Sequence, residues 1–263
     1  MGNNAVLLTK KDGIATITLN RPEDKNAMDQ NLLQGLLTSV QECFDESIRA
    51  VVLTGTGNSF CQGGDIAFAN AYGNGDPQAF FRDLTIPAAR LISDMRQLPK
   101  PIIASINGVC AGVGISFAAA CDIRICHTKT IFKLAYTGVG INPDVGLTQM
   151  VPIIIGLGRT SEMIFLDELI TAQKALDWGL VNKVVETEAL TEETNKLAAK
   201  LAAGPTRAFA VSKALLNRVM LPYLEVHMES ERQGVMLTSL TEDYKEGVAV
   251  FTGQKKKAEF KGR

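Results

Sequence analysis

The stretch that most constrains this chain is Gly108-Val109-Cys110-Ala111-Gly112-Val113-Gly114-Ile115-Ser116. An apolar run, Ile102-Ile103-Ala104-Ser105-Ile106, precedes it, and Phe117-Ala118-Ala119-Ala120 follows. That order predicts a strand, a tight glycine turn and a helix that begins near Val113. Glycine tolerates φ > 0 and lets a ligand approach the main chain closely. The first amides of a helix lack internal partners and sit at the positive end of its dipole, so such a turn suits a phosphate or a developing oxyanion. Plain packing uses the same turn. A second stretch upstream narrows the choice. Ala50-Val51-Val52-Leu53-Thr54 runs into Ser59-Phe60-Cys61-Gln62-Gly63-Gly64-Asp65-Ile66, again a strand, glycines and a helix-like segment. Paired turns of this kind can aim two backbone amides at one oxygen.

Composition removes several classes of function. With 46% hydrophobic and 21% charged residues in 263, a sizeable core is expected and wholesale disorder is not. A formal net charge of −1 gives no footing for nucleic acid or an anionic membrane. No run of about 18 apolar residues predicts a membrane span. Cys43, Cys61, Cys110, Cys121 and Cys126 form no C-x-x-C pair and read as buried free thiols in a reducing cytosol. The N-terminus shows no signal-peptide pattern, so a cytoplasmic location is expected. His127 and His227 fit no zinc pattern, and no metal site is expected. His127 reads as structural, and His227 as a residue of a subunit contact on a C-terminal helix.

Along the chain, residues 4–20 alternate around Lys11-Asp12-Gly13 and predict a β-hairpin. Asp29 fits a helix N-cap, with Leu32, Leu33, Leu36, Leu37, Val40 and Phe44 on one face. Residues 67–80 are low in helical periodicity, and a helix is expected from about 77 to 97. A strand is expected at 122–126, a Gly-capped helix before Gly179, and helices throughout 187–252.

The two glycine stretches resemble the crotonase superfamily, also called the enoyl-CoA hydratase/isomerase family. There the first turn reads roughly F-x-x-G-[AG]-D-[IL] and the second G-x-x-x-G-[GA]-G. The likeness extends to Leu19-Asn20-Arg21-Pro22, to Pro99-Lys100-Pro101, to Phe132–Thr148 and to Ala172–Asn182. It implies an α/β fold with a ββα spiral core over 1–195 that carries the coenzyme A site. Residues 196–263 become a C-terminal helical region that makes trimers, often paired into hexamers. It also implies an acyl-CoA substrate, with coenzyme A entering as part of that substrate and no separate cofactor. By register the oxyanion donors are the amides of Gly64 and Val113. Lys25, Cys61, Gln62, Asp65, Ile66, Ser116 and Tyr136 fall on the family's substrate-binding stretches. Arg21 and Lys25 are the cations of the coenzyme A loop, and one of Lys255, Lys256 and Lys257 can meet its phosphates. Asp65 also reads as the cap of the following helix.

The family pattern breaks at one place. Hydratases of this family use two glutamates, and the matching positions here are Ser116 and Tyr136. Neither holds a carboxylate. Ser116 reads as bonding a backbone carbonyl one helical turn back, and Tyr136 as lining the pocket or donating a hydrogen bond to substrate. The remaining acid is Asp144, in Asn142-Pro143-Asp144-Val145-Gly146. Double-bond-shifting members of the family carry an acid in this P-D-x-G position. Burial beside Ile141, Val145, Leu147 and Met150 raises a carboxyl toward the range of a base near neutrality. Two readings fit: Asp144 is the single base of an isomerase, or it caps a helix starting near Val145, and both can hold together. Hydration, thioester hydrolysis and decarboxylation remain as sister chemistries. A carrier-protein thioester in place of coenzyme A, or an RNA-binding non-enzyme, stands further off. The helix from Asp29 to Phe44 offers no lysine or arginine to RNA.

Overall fold

Asp12 and Gly13 turn the chain back on itself with φ of 52° and 75°, the left-handed pair that matches the twist of a hairpin. The computed structural model describes residues 5–263. The turn joins β1 (Val6–Lys11) to β2 (Ile14–Leu19) in antiparallel register, Val6 opposite Leu19. Next comes α1 (Gln30–Glu42), whose N-cap Asp29 accepts from the Leu32 amide at 2.8 Å. Its buried face holds Leu32, Leu33, Leu36 and Val40. Phe44, expected on that face, lies beyond the last turn and is 39% exposed.

The spiral follows. β3 (Ala50–Gly55) and β4 (Ser59–Cys61) lead to α2 (Ile66–Ala71) and α3 (Ala79–Gln97). β5 (Ile102–Ile106) and β6 (Val109–Ala111) lead to α4 (Val113–Ala120). β7 (Ile123–His127) and β8 (Ile131–Lys133) lead to α5 (Leu147–Ile155) and α6 (Leu157–Leu166). In each unit the first strand joins a large sheet and the second a small one. The large sheet runs β1-β2-β3-β5-β7-β10 and is parallel from β2 onward, with β10 being Lys183–Val185. The small sheet runs β4-β6-β8-β9, where β9 is Ile170–Thr171 and pairs antiparallel with β8. Parallel strands need crossovers, and the helices supply them while covering the apolar strand faces.

Two expectations shift in detail. The stretch 67–80, low in periodicity, still folds α2 and a 3-10 turn at Tyr72–Gly75. The cause is local: Asp65 accepts from the Phe68 amide at 2.9 Å and starts the helix. The strand expected at 122–126 is β7, one residue later. Between β9 and β10, α7 (Ala172–Asp177) ends at Gly179, φ 79°, as its glycine predicts.

The C-terminal residues are helical: α8 (Leu190–Ala202), α9 (Thr206–Met220), α10 (Leu224–Thr238) and α11 (Glu242–Phe251). The expected division at 195/196 falls inside α8. That helix lays Leu190 and Ala198 on Val52, Ile103 and Ile125 of the large sheet. α9 is pinned by Lys213, buried, whose ammonium donates to the carbonyls of Met95 and Lys100 and pairs with Asp122 at 2.9 Å. α10 packs along α3 and touches α5, and α11 rests on the turn at Thr137–Val139. Among the described residues no helix is long and apolar enough to cross a membrane.

Candidate active site

The glycine turns after β4 and β6 meet. Gly63 and Gly112 have φ of 117° and 52°, backbone angles that side chains resist. A Cβ on Gly112 would lie 3.1 Å from the Gly63 Cα and 3.9 Å from the Gly64 nitrogen. Met28 fixes the first turn by donating to the Gly63 carbonyl at 2.7 Å and accepting from the Asp65 amide at 3.0 Å. In that pairing the intervening Gly64 amide faces away from Met28. Val113 is the first residue of α4, so its amide has no acceptor within the helix. Among the described residues no backbone or side-chain acceptor takes either amide. Both residues line one narrow cavity of about 60 Å³. Its other walls include Met28, Phe80, Phe81, Leu84, Val139 and Ile141.

Tyr136 and Asp144 line the same cavity. The Tyr136 hydroxyl donates to Asp144 Oδ1 at 2.8 Å, with both residues buried. Burial pushes the Asp144 carboxyl up to about 7, against the Tyr136 hydrogen bond, which favours the charged form. Tyr136 itself is held far above its ordinary value by burial and by the neighbouring aspartate. The backbone carrying the pair is unusual, since Ala135 and Val145 have φ of 58° and 55°. Tyr136, expected to line the pocket or to donate to substrate, lines the cavity and donates its hydroxyl hydrogen bond to the Asp144 carboxyl.

Asp144 does not cap α5. That helix starts at Leu147 with Gly146 as N-cap, and the Asp144 side chain is turned to Tyr136 instead. The capping carboxylate comes from Glu231 on α10, which accepts from the amides of Gly146 at 2.6 Å and Thr148 at 2.8 Å. No motif in the sequence marks Glu231. One signal pointed to it: with Leu224, Met228 and Val235 it forms the buried stripe of its helix, where an acid is out of place.

The other expected residues divide into three groups. Gln62 and Ile66 line both the cavity and a mouth of about 210 Å³ beside it, together with Phe251 of α11. Lys25 and Asp65 line the mouth alone. Lys25 is exposed, whereas the Arg21 guanidinium is shared among Asp24, Asp29 and Asp65 and braces the loop. Cys61 and Ser116 are corrections to the substrate-binding set. Cys61 is fully buried in the core with its thiol directed to the Gly63 carbonyl. Ser116 is fully buried too, and its hydroxyl donates at 3.4 Å to the Asp144 carbonyl rather than to the preceding turn of its own helix. All five cysteines are free and buried.

A two-sheet ββα spiral whose glycine turns open on one cavity is the crotonase architecture. The sequence profile described as Enoyl-CoA hydratase/isomerase matches residues 9–263, and the chain belongs to that family of enzymes. It is 32% identical over 263 residues to a 1,2-epoxyphenylacetyl-CoA isomerase of Escherichia coli K12, covering 98% of each chain. It is 33% identical over 262 residues to a crotonyl-CoA hydratase of Syntrophomonas wolfei, covering 99% of each. Among solved structures, an enoyl-CoA hydratase from Mycobacterium avium subsp. paratuberculosis K-10 superposes with a TM-score of 0.88 at 29% identity, covering 98% of both chains.

Proposed function

We propose that the enzyme shifts a double bond in an enoyl-CoA thioester by a 1,3-proton transfer, with Asp144 as the base. The observation that carries this is the buried Tyr136–Asp144 pair lining the same cavity as Gly64 and Val113. The thioester carbonyl oxygen sits between the Gly64 and Val113 amides. The Asp144 carboxylate removes a proton from the α-carbon of a 3-enoyl thioester. The bonding pair becomes a dienolate whose oxygen charge the two amides carry. Asp144 then returns the proton to the γ-carbon, leaving the 2-enoyl product. One such amide is worth about 10²–10³ in rate in other enzymes. A single base near neutrality suffices, because the proton that leaves is the proton that returns. Ser116 and Tyr136 stand where hydratases of the family have glutamates, which argues against water addition.

At the mouth, Lys25 is the exposed cation of the coenzyme A loop. Lys256 and Lys257 are exposed too, while Lys255 pairs with Glu246. The family resemblance supports a homotrimer or hexamer, joined by the exposed apolar residues of α9 and α10. Five buried free thiols favour a reducing, cytoplasmic setting. Assaying 2-enoyl-CoA and 3-enoyl-CoA side by side tests the reaction. Double-bond migration lost in Asp144→Asn is expected. Rapid hydration of crotonyl-CoA that survives Asp144→Asn would instead place the enzyme with the hydratases.

A further inference from the structure

The strap from Asn142 to Thr148 carries Asp144, and one residue of it is strained. Val145 adopts φ 55°, a left-handed conformation foreign to β-branched side chains. Such backbone persists only where its surroundings over-determine it. Here the surroundings are α10. Glu231 Oε2 accepts from the Gly146 amide at 2.6 Å, and Oε1 accepts from both the amide and the hydroxyl of Thr148. At the other end of the strap, Asn142 Nδ2 donates to the Glu231 carbonyl at 3.2 Å, and the Thr238 hydroxyl donates to Asn142 Oδ1 at 3.1 Å. Glu231 is 5% exposed, and every group facing its oxygens is a donor. Burial raises the Glu231 carboxyl, and these donors oppose that rise by favouring the ionised, acceptor-only carboxylate. His227, one turn earlier, lies 2.8 Å from Thr148 Oγ. Because the Thr148 proton goes to Glu231, the network assigns the imidazole as donor there.

We propose that Glu231 is a positioning residue for Asp144, locking the strained strap onto α10 so that the Asp144 carboxyl stays against Tyr136 in the cavity that Gly64 and Val113 also line. The proposal rests on Asp144 as the base and explains what keeps it aimed. Among the described residues, two titratable side chains act on Asp144: Tyr136, after β8, and Glu231, from α10. Ser116 of α4 meets only the Asp144 carbonyl, and His227 and Thr148 bear on Glu231. The Glu231 charge also favours the protonated form of Asp144.

Glu231→Gln and Glu231→Asp separate charge from reach. Asp144 is titrated by carboxyl-carbon NMR without substrate, its signal assigned by its loss in Asp144→Asn. In Glu231→Gln the Asp144 midpoint falls below the wild-type value. Misplacement of the base lowers kcat about 10–100-fold while KM stays within about twofold. Glu231→Asp keeps the charge, so the midpoint stays near wild type, but its shorter arm does not span both amides and kcat falls. If Glu231→Gln does not fold, the kcat loss at constant KM in Glu231→Asp carries the test. An unchanged Asp144 midpoint in folded Glu231→Gln, or wild-type kcat in Glu231→Asp, overturns the proposal. Failure of the wild-type enzyme on every enoyl thioester would remove the isomerase reading instead, and the NMR midpoint would still decide whether Glu231 acts on Asp144.

Discussion

Asp144 sits under opposed influences, and each leaves a measurable trace. Burial holds its carboxyl near 7, far above an ordinary aspartate. The proposed base must be ionised to take a proton, so kcat/KM is expected to rise with pH and level off above about 7, read as the acid limb of a rate profile. Tyr136→Phe removes the hydrogen bond that favours the carboxylate, so the same limb moves to higher pH. Stability answers with the opposite sign. Folded Asp144 binds its proton more tightly than the unfolded chain does, so its contribution is fully present below the unfolded value of 3.8 and is lost as pH rises through about 7. Asp144→Asn is therefore expected to stabilise the protein, by up to a few kcal/mol at about pH 8 and by less at about pH 5. Paired thermal melts of variant and parent at the two pH values check this; equal shifts would contradict a buried ionised carboxylate. The sequence made Asp144 legible because it is the one acid in a Pro-Asp-x-Gly turn set among apolar residues. It did not show that Cys61 and Ser116 turn inward, since membership of a motif does not say which way a side chain faces. Glu231 stayed hidden because it lies 85 residues beyond Gly146, and only the folding of α10 onto the strap brings them together.

The strand–turn–helix elements were the most legible part of the chain, though not by hydrophobic period. α4 is buried at every position, so an amphipathic pattern is missing and the glycines alone marked its start. Gly114 shows why they are needed. A Cβ there would stand 2.5 Å from the Cys61 carbonyl oxygen and 2.8 Å from the Cys61 Cβ, distances that packed atoms do not tolerate. Gly114→Ala is thus expected to push α4 away from β4 and to part the two glycine-turn amides. Overpacking of this kind costs about 1–3 kcal/mol, seen as a lower urea midpoint. In the proposed reaction, moving the Val113 amide off the thioester oxygen should lower kcat by about 10²-fold or more. A variant with a lowered midpoint and normal kcat would mean that α4 shifts without carrying the amide with it. Segment 67–80 was harder to read for a related reason. α2 is held by a cap, Asp65, itself tied to Arg21, and short capped helices carry little periodic signal.

At the scale of the whole molecule, the C-terminal helices face two ways. α10 turns Glu231 inward to the Asp144 strap, while Val226 on the same helix is 69% exposed. On α9, Val211, Leu215, Leu216 and Val219 form an exposed apolar stripe at helical spacing. Beside it, Arg96, Leu215, Leu221 and Tyr223 line a groove of about 690 Å³ between α3, α9 and α10. Apolar surface gathered in this way is ordinarily covered by another chain. Association through the stripe predicts that sedimentation finds a multiple of the 28.3 kDa chain and that the melting temperature rises with protein concentration. Leu215→Glu combined with Val219→Glu puts charges into the contact and should yield single chains. Because α10, which lines the same groove as α9, holds the strap, the dissociated variant is expected to lose kcat more than substrate affinity, although neither substitution touches the cavity. A wild-type protein that sediments as one chain at all concentrations would remove the assembly, and with it the expected link between α9 and the site. A dissociated variant with full kcat would show instead that α10 holds Asp144 in place without help from neighbouring chains.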